Sequence, residues 1–154
     1  MSTLARLFEF IGRPSCAGLV EWGISRFVRG DTGAISIQGF SFQASTVAAG
    51  VAVTSSLTGQ FVGNLFIPFL LRSFPTGLSQ FISNFSMPIG AAGAAFGLSY
   101  IPGMEPLLNR RGGNNLTARA MFAAEIGVSD FAGGALYQQF KRPLLAGFVP
   151  GLRP

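Results

Sequence analysis

Histidine is absent from this chain, cysteine occurs once, at Cys16, and Lys141 is the single lysine. Without histidine the protein lacks the commonest general base, the commonest metal ligand and the usual physiological-pH switch. A lone cysteine excludes an internal disulfide framework and any multi-cysteine metal site. Neither Cys16 nor the serines have an imidazole to activate them as nucleophiles. The sequence therefore predicts a non-enzyme with no catalytic residue, cofactor or metal.

Charge is scarce as well. Charged residues make up 11% of the 154, less than half the usual share for a soluble domain. The longest gap runs over residues 32–104, where Arg72 is the one charged side chain, with 40 uncharged residues before it and 32 after it. What charge remains is basic: ten Arg and Lys141 face six acids, a net of +5. The planar guanidinium suits phosphate, which in a membrane setting points to anionic lipid such as cardiolipin rather than nucleic acid.

What the chain has in quantity is apolar and small residues: 49% hydrophobic, with 16 Phe and 21 Gly. Residues 43–67 can form one helix of roughly 37 Å, enough to cross a hydrocarbon core of about 30 Å. Val and Thr between Phe40 and Leu57 also suit buried strands, but strict alternation is absent and Ala is frequent, which favours helix. Pro68 and Pro75 bracket a short connection around Arg72. A second apolar helix follows over 76–101, with Pro88 expected to kink it.

These features predict an all-α membrane protein built on a transmembrane helical hairpin. Gly50, Gly59 and Gly63 on the first helix, and Gly90, Gly93 and Gly97 on the second, form small-residue faces that allow close helix packing. A third helix over 117–139, capped by Thr117, is either interfacial or spanning. Glu125 and Asp130 would be costly within lipid, and a two-span hairpin leaves ten of the eleven basic residues on one side, so two spans are preferred. Residues 1–31 read as two short amphipathic helices separated by Pro14, and residues 140–154 as an extended tail. Arg72, Arg110, Arg111, Lys141 and Arg142 are the expected anionic-lipid contacts.

The expected role is a non-catalytic accessory subunit of a large integral membrane complex, of the respiratory-chain or ATP-synthase kind in the mitochondrial inner membrane. Its partners would be other membrane subunits and anionic phospholipid. The alternatives are a virion or phage membrane-associated structural protein, a small holin-like pore, and a soluble but obligately buried component of a protein assembly.

Overall fold

A computed structural model describes residues 3–70, 72, 75–113 and 115–140, the side chains at 5, 9, 63, 64, 66–68, 70, 79 and 81–84 excepted. Helix α1 (Thr3–Gly23) runs into a π-helical turn over Ile24–Val28. Strands β1 (Ala34–Ile37) and β2 (Phe40–Gln43) follow, then α2 (Ala44–Leu70), α3 (Thr76–Leu98), the short α4 (Glu105–Asn109) and α5 (Leu116–Phe140). The four long helices form a bundle in which α1 packs on α2 and α5, and α3 packs on α2 and α5. Contacts such as Gly12 on Tyr137, Gly133 on Ala17 and Gly127 on Pro88 show that neighbours along this ring run antiparallel. One end of the bundle carries the π turn, the hairpin and α4; the other carries the α2–α3 connection.

Among the described residues, no helix is long and apolar enough to cross a membrane. This overturns the transmembrane hairpin, the possible third span and the integral inner-membrane location inferred from it. The physical reason is that uncharged is not the same as apolar. Helix α2 has length to spare, but Ser45, Thr46, Thr54, Ser55, Ser56, Thr58, Gln60 and Asn64 dilute it. Helix α3 is diluted by Ser, Gln, Asn and four glycines. In α5, Arg119, Glu125 and Asp130 interrupt any apolar window.

Pro14 does not divide the N-terminal segment. It lies buried inside a continuous α1, where packing against the bundle offsets the missing backbone bond. Helix α5 is capped by Asn115, whose Oδ1 accepts the Ala118 N–H at 2.8 Å, rather than by Thr117. The tail predicted over 140–154 lies, beyond Phe140, outside the described residues.

Two antiparallel strands precede α2, and the second of them, Phe40–Gln43, takes the start of the 40–57 stretch for which helix was preferred to strand. Ile37 pairs with Phe40 across a two-residue turn, Gln38-Gly39, in which both residues have positive φ (50° and 84°). That combination is the type I′ geometry, whose twist matches the flanking strands. The hairpin anchors itself through Ile35, which enters the core with Met104, Leu107, Leu108, Phe122 and Ile126. The backbone at Gly103 passes so close to Ser36 that a Cβ would strike its carbonyl oxygen.

Candidate functional site: a buried ionic cluster

The bundle places most of its acids inside. Glu21, Asp31 and Asp130 are buried, as is Arg111. They are brought together by separate elements: Glu21 from the last turn of α1, Asp31 from the loop after the π turn, Arg111 from the loop after α4, and Glu125 from the third turn of α5.

Arg111 is the hub. Its Nε and Nη2 both donate to the Glu125 carboxylate at 2.9 Å, a bidentate pairing. Nη2 also reaches Asp31 Oδ2 at 3.3 Å, and Nη1 donates to the Leu107 carbonyl at 2.8 Å. The guanidinium carbon sits 5.1 Å from the Phe122 ring centroid, a cation–π contact. Two partly exposed arginines close the rim. Arg29 Nε lies 3.3 Å from Glu125 and Arg110 Nε lies 3.4 Å from Asp31.

Asp31 is held further by the Ser25 hydroxyl at 2.5 Å. Its carbonyl accepts the Ser45 N–H at 3.2 Å, which ties the π turn to the start of α2. Glu21 is placed differently. It accepts one hydrogen bond, from Ser129 Oγ at 2.6 Å, and its nearest guanidinium nitrogen, on Arg111, is 3.8 Å away.

These surroundings move the carboxyl groups in opposite directions. Burial, then the adjacent Glu125 charge, pushes Glu21 up to about 9. Burial would also raise Glu125, but the Arg111 hydrogen bonds and the positive charges of Arg111 and Arg29 hold it below its ordinary value. Arg111, despite burial, is raised by Glu125, Asp31 and Glu21.

A second ion pair lies farther along the α1–α5 interface. Arg13 Nη2 donates to Asp130 Oδ2 at 2.9 Å, and the Ser56 hydroxyl donates to Asp130 Oδ1 at 2.5 Å. Asp130 thereby links α5 to α1 and α2. At the outer end of α5, Arg119 bonds the Ser99 carbonyl and stacks over Tyr100 at 4.0 Å, clamping α5 to the end of α3.

The carboxylates are interleaved with guanidinium groups rather than converging on an empty point. Among the described residues, no group of His, Cys, Asp or Glu is arranged to hold a metal ion. The cluster's chemistry is cross-linking: it ties α1, the π turn, the hairpin's base, α4 and α5 at one point.

The residues expected to bind anionic lipid are dispersed. Arg111 turns inward and is consumed by three carboxyl groups. Arg110 is half-exposed and paired with Asp31. Arg72 is exposed between α2 and α3. Lys141 and Arg142 lie outside the described residues.

Of the packing glycines, Gly59 and Gly90 meet. A Cβ on Gly59 would lie 2.7 Å from the Met87 carbonyl, and one on Gly90 would lie 3.1 Å from Gly59 Cα. Gly50, Gly93 and Gly97 have open space instead, and the surroundings of Gly63 fall outside the described residues. The tightest crossing was not foreseen. It lies at Gly133, where a Cβ would come within 2.5 Å of Ala17 Cα.

No family model matches the chain, and neither the curated proteins nor the solved structures include a significant match. Nothing in these comparisons supports a mitochondrial or respiratory-chain assignment.

Proposed function

We propose that the chain is a non-catalytic structural subunit of a larger protein assembly, whose partners cover its outer faces. One observation carries this reading: beside its apolar core the bundle buries ion pairs, while large apolar side chains face outward on several helices.

Phe27 and Val28 are 75% and 77% exposed. On α1, Leu4, Leu7, Phe10, Ile11 and Leu19 face out; on α2, Phe61, Leu65 and Phe69; on α5, Val128 and Phe131. Apolar surface of this extent around a small bundle marks an interaction surface rather than a scatter of single exposed residues. The open faces at Gly93 and Gly97 add room for a neighbouring helix to approach closely.

Affinity purification of the tagged chain under mild conditions, followed by chemical cross-linking and mass spectrometry, tests this. Cross-links from near Phe27, Phe61 or Phe69 to a stoichiometric protein partner are expected. A chain recovered alone, with intramolecular cross-links only, contradicts it. Assembly from identical copies is the second reading, favoured by the unpartnered small-residue face of α3; it gives cross-links between like peptides.

A further inference from the structure

The ionic cluster contains a mismatch that its cross-linking role does not need. Three carboxyl groups surround one buried guanidinium, and the two rim arginines are already committed. Glu125 is met by Arg111 and Arg29, and Asp31 by Arg111 and Arg110. Glu21 alone has no guanidinium nitrogen within hydrogen-bond distance, and its Oε1 finds no hydrogen-bond donor, the Arg111 approach being 3.8 Å. An ionised carboxylate in that position would be buried with only a share of the Arg111 charge, which Glu125 and Asp31 also draw on, a costly arrangement that protonation removes.

We propose that Glu21 is a proton latch: held neutral, its carboxyl group bonds α1 to Glu125 of α5, and loss of the proton loosens the bundle at the end that carries the hairpin and α4. As a carboxylic acid, Glu21 accepts from Ser129 on one oxygen and donates from the other toward Glu125. Once ionised, it can donate nothing, and it faces the Glu125 carboxylate across the α1–α5 contact.

The groups facing Glu21 are accounted for on every packed element. Helix α5 presents Ser129 and Glu125; the loop after the π turn presents Asp31; the loop after α4 presents Arg111. Arg29 and Arg110 stand behind Glu125 and Asp31. Helix α2 carries no charged residue, and its buried Ser45 and Ser55 hydroxyls have no hydrogen-bond partner. The Arg13–Asp130 pair, two turns along α1, is internally matched. The latch depends on no external partner, so it stands or falls apart from the assembly reading.

Linkage gives the direction. The Glu21 carboxyl is raised from 4.5 to about 9, so across that window the folded protein holds a proton that the unfolded chain has released. Stability therefore falls as pH rises through the window.

The test is infrared spectroscopy of the purified full chain as a function of pH, paired with thermal unfolding. A protonated-carboxyl C=O band is expected at pH 7, disappearing with a midpoint near 9, together with a falling unfolding temperature. In Glu21→Gln, whose amide keeps both hydrogen bonds, the band is expected to vanish and the unfolding temperature to stay level across that range. Should Glu21→Gln not fold, Ser129→Ala serves instead: it removes a donor that favours the ionised form, so the band's midpoint must move upward. Absence of a protonated-carboxyl band in the wild-type protein at pH 7 overturns the proposal. So does an unmoved midpoint in Ser129→Ala, or the same alkaline loss of stability in Glu21→Gln.

Discussion

Buried charge here is costly to assemble and costlier to interrupt. Arg111 satisfies two carboxylates and a carbonyl from one buried position. Its replacement by alanine leaves Glu125 and Asp31 dependent on the rim arginines alone. Loss of about 3–5 kcal/mol is expected by denaturant unfolding, the range for breaking a buried pair by removing one partner. Arg72→Ala, at an exposed position, should change stability by less than about 0.5 kcal/mol.

The acid limb of the pH profile belongs to Glu125. Its carboxyl is held below its ordinary value of 4.5, so the stability it contributes is present above that value and lost as pH falls through the lowered one. The denaturant midpoint should drop steeply below about pH 4.5, and Glu125→Gln should lower the midpoint at neutral pH while flattening that drop. None of this pairing was legible in the sequence. Glu125 and Asp130 are five residues apart, and each finds its partner through an element far away in the chain: Arg111 for one, Arg13 for the other. Local spacing carries no signal for such contacts.

Helices and their limits were the most legible feature. The helices predicted over 43–67, 76–101 and 117–139 correspond to Ala44–Leu70, Thr76–Leu98 and Leu116–Phe140, although Pro68, expected to open the connection, lies inside the first of them. Their environment was not legible, since hydroxyl and amide side chains carry no charge yet lower hydropathy. The hairpin did leave a trace: residues 35–42 alternate apolar and polar across Gln38-Gly39, a period-two pattern with a turn that accepts positive φ.

Glycine spacing likewise predicted packing at Gly59 and Gly90, but could not tell those two from Gly93 and Gly97, which face open space. Substitution separates them. Gly133→Val forces a branched side chain against the Ala17 backbone and should cost about 3 kcal/mol or more. Gly93→Ala and Gly97→Ala should raise helix stability by about 0.5–1 kcal/mol each, as expected for an exposed helical glycine. Thermal unfolding followed by circular dichroism measures both, and a Gly97→Leu chain that folds but no longer associates would mark that face as a contact.

At the scale of the whole molecule, the fold overturns the membrane-spanning expectation, and the assembly reading rests on its exposed apolar faces. Abundant Phe and little charge were the basis for expecting hydrocarbon around the chain. The helices instead arrange their ion pairs inward, leave Phe27, Phe61 and Phe69 outward, and lack a segment apolar enough to cross a membrane among the described residues. An apolar exterior on a bundle with a firmly cross-linked interior is what a component of an assembly requires, because the interior keeps its shape while the faces are covered by neighbours. Among the described residues, Arg72 and Arg26 lie outside the ionic cluster, where a basic side chain can orient such a neighbour.

The most direct measurement is the native mass of the chain purified gently from its source, read by native mass spectrometry without prior denaturation. A defined species heavier than 16.2 kDa is expected, containing this chain in fixed ratio with another protein or with further copies of itself. A monodisperse 16.2 kDa monomer, stable and non-aggregating with its phenylalanines uncovered, would contradict the reading.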